Sequence, residues 1–139
     1  MDRNAVPAKA PDHPKLSPTP NEHGVYPCDE AETIIISCKG AYLEIYLLEL
    51  KSGWIAGVDA VYRCGDYVGK GVPLKVGRQH YNSRAEALGV VLEWALEHFD
   101  PQRLERTPTA SESQRKAAEE MRGLIEKRIN AENQETLFS

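Results

Sequence analysis

The run from Ser83 to Phe99, SRAEALGVVLEWALEHF, constrains this chain more than any other segment. Ser83 and Glu86 stand at the three-residue separation of a capping box, in which the serine hydroxyl accepts from an early helical N–H and the glutamate reaches back. Ala85, Leu88, Val91, Leu92, Ala95, Leu96 and Phe99 then recur at helical spacing and cover one face. Asp100-Pro101 ends the pattern, because the residue before a proline is biased away from helical geometry. A helix with so continuous an apolar face needs a matching apolar surface in the same molecule.

The preceding residues supply it. TIIISCKGAYLEIYLLEL is dense in β-branched and aromatic residues and breaks at Lys39-Gly40, which predicts a strand from Thr33 to Ser37 and another from Ala41 to Leu50. Lys51-Ser52-Gly53 forms a tight turn, and Trp54 to Tyr62 alternates well enough to pair back antiparallel, with Gly57 marking a bulge or a close approach. After a second turn at Arg63-Cys64-Gly65-Asp66, YVGKGVPLKV reads as an edge strand or ordered loop, since Gly69, Gly71 and Pro73 interrupt a regular ladder. Beyond a polar connector around Thr107-Pro108, helix formers place Ala117, Met121, Leu124, Ile125 and Ile129 on a broad stripe. That stripe packs either on the sheet or on a second copy in a homodimer, and the sequence leaves both open. The predicted fold class is α+β: a three- or four-stranded antiparallel sheet packed by one helix, with an additional C-terminal amphipathic helix.

The 139 residues, 41% of them hydrophobic, suffice for one core, but six of the nine prolines lie in the first 27 residues. Residues 1–31 therefore read as a flexible proline-rich arm, 32–100 as the compact domain, 101–110 as a connector, 111–131 as the amphipathic helix and 132–139 as an interaction tail. A net charge of −4 disfavours indiscriminate nucleic-acid coating. No apolar run is long enough for a membrane span and no secretory signal precedes the domain, so a cytoplasmic protein is expected.

Groups with catalytic chemistry are present without a supporting pattern. Cys28, Cys38 and Cys64 match neither zinc knuckles nor a disulfide scaffold, even with His23 or His80 added. Cys64 with His80 has no nucleophile elbow, Asp59 with Asp66 has no phosphate loop, and GDYVGKGVP lacks the Lys-Ser/Thr and helix of a Walker A cradle. Glu93, Glu97 and His98 form no zinc hydrolase motif. The expectation is a non-enzymatic protein without metal or cofactor. Lys70, Lys75, Arg78 and Arg84 occur with no acidic residue between Tyr67 and Ala85, and Tyr81 offers a stacking ring, so DNA or RNA binding by this segment is the alternative reading.

Two resemblances bear on function. KSGWIAGV and SRAEALGVVLEWAL, within Tyr42 to Phe99, resemble the small partial RNase H-like domains of HicB antitoxins, and the sheet-then-helix order resembles double-stranded-RNA-binding domains. The former resemblance implies an antitoxin-like protein-binding module, the latter an RNA binder. The lysine-rich text of an RNA-binding helix start is missing. Gln134-Glu135-Thr136-Leu137-Phe138 resembles the peptide by which bacterial replication and repair proteins bind the DNA polymerase III sliding clamp. The resemblance implies that Gln134 fixes register while Leu137 and Phe138 enter an apolar pocket; Glu135 departs from the often apolar second position. The preferred expectation is a small regulator or adaptor of bacterial, phage or plasmid DNA maintenance.

Overall fold

In a computed structural model, residues 18–64, 68–105 and 112–138 are described. The alternating residues become β1 (Glu32–Cys38), β2 (Ala41–Leu50) and β3 (Gly53–Tyr62), joined by short turns, and β4 (Val68–Val72) adds to the far side of β3. All neighbours are antiparallel, in the order β1-β2-β3-β4. The register aligns Ile34, Ile45, Val58 and Val72 in one cross-strand row and Ile36, Leu43, Ala60 and Lys70 in the next. These rows form the face that the helices cover. Gly53 adopts φ +134°, and an added Cβ there would lie 2.6 Å from the Tyr81 carbonyl oxygen, so the hairpin corner requires glycine. Trp54 and Tyr81 exchange two backbone hydrogen bonds of 2.8 Å at this corner. Gly57 keeps regular pairing with Tyr46, and a Cβ would sit 2.9 Å from the Val72 carbonyl oxygen. It marks a close approach and not a bulge.

Helix α1 (Arg84–His98) starts as the sequence predicts, with Ser83 Oγ accepting from the Glu86 N–H at 3.1 Å. The reciprocal bond runs from the Asn82 N–H to Glu86 Oε1 at 2.8 Å, one residue earlier than a regular capping box would place it. Ala87, Leu88, Val91, Leu92, Ala95 and Phe99 are buried, whereas Ala85 is exposed and Leu96 half-buried. The buried face is rotated toward Ala87 because α1 lies on the sheet through Ala87 and Val91, while Ala85 borders a groove facing the next long helix.

Pro101 ends α1 but also opens a short helix, α2 (Pro101–Glu105), where the predicted connector stood. A proline lacks the N–H that a first helical position does not use, and Asp100 Oδ1 caps the turn by accepting from the Gln102 N–H at 2.9 Å. Leu104 thereby enters the core. The remainder of the connector, including Thr107-Pro108, lies outside the described residues.

Helix α3 (Glu112–Phe138) runs seven residues past the predicted end at 131. Ala117, Ala118, Met121 and Ile125 are buried in the shared core and Ile129 packs partly against it. Of the two burials open for this stripe, the fold uses the sheet and α1 of the same chain. Ala117, Met121 and Ile125, named for a homodimer interface, are buried within the chain, while Leu124, 37% exposed, points away from the core. The fit is close at Gly40, where an added Cβ would meet Ala117 Cβ at 2.8 Å. The guanidinium groups of Arg122 on α3 and Arg103 on α2 donate to the carbonyls of Leu96 and Glu97, satisfying the C-terminal end of α1 with positive charge.

Where the expected flexible arm is described, from residue 18, part of it folds back on the sheet. Val25 bridges Lys75, the Tyr26 N–H donates to the Leu74 carbonyl at 2.9 Å, and Tyr26 and Ala31 pack on a second small core of Leu48, Ile55 and Leu74. This fold-back covers part of the sheet face opposite the helices, leaving Ile35 63% exposed. Residues 1–17 lie outside the described residues. Among the described residues no helix is long and apolar enough to cross a membrane.

Candidate functional site

The clamp-like peptide follows the last clasp that holds α3 to the body. Arg84, the first residue of α1, grips Glu32 of β1 with Nε and Nη2 at 2.6 and 2.7 Å and reaches Glu132 of α3 at 3.4 Å. Arg128 meets the other oxygen of Glu132 at 3.0 Å. A guanidinium at a helix N-terminus opposes the helix dipole, and the two carboxylates offset that penalty while tying three elements together. The Arg84 hydrogen bond holds the Glu32 carboxyl below its usual range. Two residues beyond Glu132, Gln134 is exposed. The backbone remains helical through Phe138, so Gln134, Leu137 and Phe138, at i, i+3 and i+4, share a helical face by register. The side chains of residues 135–138 lie outside the described set.

The residues of the basic segment have different surroundings. Arg84 is committed to Glu32 and Glu132. Lys75 is exposed, on the bridge to Val25. Arg78 Nε donates to the Pro73 carbonyl at 3.2 Å, Tyr81 is half-buried beside Trp54, and Lys70 Nζ stands 6.0 Å from the Trp94 ring centroid. What the fold brings together is Arg78 and Tyr81 on one side of Trp94 and Lys70 on the other.

Trp94 separates two concavities along α1. The first, about 250 Å³, is bounded by Val72, Arg78, Tyr81, Val90, Val91 and Trp94. The second, about 460 Å³, is polar and bounded by Lys70, Trp94, Glu97, Asp100, Gln102 and Arg103. Beneath them the His98 ring is stacked between Trp94 and Tyr62, with centroids 5.4 and 5.9 Å away. Burial, then the nearby charges of Arg103 and Lys70, lowers the His98 pKa to about 4. Burial likewise pushes the Tyr62 phenol up to about 12. Both groups are therefore neutral at physiological pH, as a packed aromatic layer requires. The sequence reading missed Val90 and Trp94. Their i, i+4 spacing, just off the main stripe, was the available signal of an apolar face wider than the sheet covers.

Cys64 and His80, considered together for catalysis, are held apart. The Cys64 thiol contacts the Gly40 carbonyl at 3.6 Å, near the start of β2, whereas His80 Nδ1 lies 2.7 Å from Ser52 Oγ beyond its end. A ten-residue strand separates the two locations, roughly 30 Å. Asp59 accepts from Tyr46 Oη at 3.4 Å, and Asp66 lies outside the described residues. Among the described residues no three His, Cys, Asp or Glu side chains are placed to share a metal ion. No known protein family, curated protein or solved structure matches the chain.

Proposed function

We propose that this chain is a small non-enzymatic adaptor or regulator in bacterial, phage or plasmid DNA maintenance, working in the cytoplasm and binding the DNA polymerase III sliding clamp through Gln134, Leu137 and Phe138. The observation that carries the reading is the position of the motif directly after the Arg84–Glu132–Arg128 clasp, with Gln134 exposed. Phe138 is the main apolar anchor, Leu137 fills the neighbouring part of the pocket, and the Gln134 amide fixes register. A helical end costs little to unwind, because each terminal residue contributes one marginal backbone bond and no nucleus must be re-formed. On binding the peptide leaves the helix, and the body travels with it.

DNA or RNA recognition by the Lys70 to Arg84 segment is the second reading, in which Arg84 is already paired with Glu32 and Glu132. The test measures binding to the purified sliding clamp by the full chain, by a version ending at Asn133 and by Phe138→Ala. The full chain should bind, and both variants should lose most of the affinity. Equal binding by all three sinks the proposal.

A further inference from the structure

The edge of the sheet at β4, and the apolar concavity beside it, have no part in clamp binding. β4 ends the strand order, so its outward N–H and C=O groups have no strand partner among the described residues, and Gly69, Lys70 and Gly71 are exposed. Such an edge is a template for another strand. Natural edges are blunted by length, charge or a covering element; β4 is five residues long and carries one lysine, directed over Trp94. On its helix-facing side Val72, Val90, Val91 and Trp94 form a trough about 250 Å³ in volume, and Val90 is 45% exposed. Arg78 stands at one end of the trough and Lys70 flanks Trp94 at the other.

We infer that β4 and α1 form a docking groove for an extended peptide segment of another protein, which adds to the sheet as a fifth strand. Main-chain hydrogen bonds to β4 supply affinity, and alternate side chains of the peptide turn toward α1. The trough accommodates one bulky apolar side chain, and Arg78 and Lys70 select acidic residues on either side of it. A polynucleotide fits less well. The strand edge offers amides and carbonyls in peptide register, which a phosphate chain cannot pair with residue by residue. The trough is lined from β3, β4, α1 and the segment before α1, and Val90 also borders the concavity between α1 and α3 that holds Glu132 and Asn133.

The test uses the full chain, isotopically labelled, and a nine-residue probe of sequence DTEVFVTED. Two controls carry N-methyl groups on alternate backbone amides, or lysine in place of every acidic residue. Amide shifts confined to β4 and to Val90 through Trp94, with roughly tenfold or greater weakening by either control, are the expected result. Val90→Glu and Arg78→Glu, both at solvent-reaching positions, should weaken the acidic probe, and Arg78→Glu should improve the lysine version. The inference fails if the acidic probe gives no shifts at about 1 mM, or if all three peptides bind alike. Concentration-dependent shifts in β4 without peptide would overturn it in favour of a second copy. Displacement of the probe by oligo(dT) or oligo(U) at micromolar strand concentration would overturn it in favour of nucleic acid. Removing residues 134–139 leaves the expected peptide result unchanged, which separates its failure from that of clamp binding.

Discussion

The two parts of α3 obey different rules. From Gln114 to Ile129 the helix is held by burial: Ala117, Ala118, Met121 and Ile125 interlock with the sheet and with α1, closely enough that Gly40 has no room for a methyl group. From Asn133 onward the described features are an unbroken helical backbone and exposed positions at Asn133 and Gln134. Between them lies the clasp of Arg84, Arg128 and Glu132. One continuous helix is therefore a core element along one part and carries exposed positions at Asn133 and Gln134, because helical hydrogen bonding is local while burial is not.

Perturbations of different strength sharpen this contrast. The largest effect is expected in the buried part: Ile125→Ala should cost about 2–5 kcal/mol in chemical denaturation, with a fall in midpoint and little change in slope. A loss under about 1 kcal/mol would mean that α3 is only loosely seated.

The aromatic layer under α1 should make the body, and not the distal helix, sensitive to pH. The folded His98 pKa of about 4 is below the ordinary 6.5, so the unfolded chain takes up a proton before the folded one does. Stability is full above about 6.5, falls as pH drops through this window, and the loss is complete below about 4. Because the ring is partly solvent-exposed, the change is on the order of 2 kcal/mol. His98→Phe should flatten that slope in thermal melts taken across the window; an unaltered slope would assign it elsewhere.

The clasp should contribute less. Arg84→Gln is expected to cost about 1 kcal/mol, since the pairs are partly exposed although bidentate on Glu32. Glu32 has a lowered pKa, so its contribution is present above the ordinary 4.5 and lost as pH falls through the folded value. The variant should therefore lose part of the acid sensitivity below about 4.5 while keeping that of His98. If native-state hydrogen exchange near Glu132 is unchanged in Arg84→Gln, the clasp does not divide the helix.

The smallest effect on stability is expected from Phe138→Ala, within about 0.5 kcal/mol of the parent in denaturant melts. A loss of several kcal/mol would show that the residue belongs to the body and would remove the contrast.

The elements readable in the sequence are those whose cause is local. Ser83 and Glu86 announce the start of α1, Lys39-Gly40 and Lys51-Ser52 the hairpin turns, and the Trp54 to Tyr62 alternation its pairing with β2. Features that depend on residues far apart in the chain were not readable. The fold-back of Val25 and Tyr26 onto Lys75 and Leu74 joins segments about fifty residues apart, which proline content alone cannot reveal. The pairing of Arg84 has the same origin, since its partners stand 52 and 48 positions away. Of the candidate sites, the clamp-like peptide is visible as text, whereas the β4–α1 groove exists only because Val72, Arg78, Tyr81, Val90 and Trp94 are brought together by folding.

The sequence by itself determined the α+β class, the hairpins and the placement of α1, because period, capping and turn chemistry are properties of neighbouring residues. Only the tertiary structure decided which surface the α3 stripe would cover, which cations would be neutralised and which edge would stay open. Those outcomes depend on the competition among distant groups for burial and for opposite charge, and no local pattern records who wins.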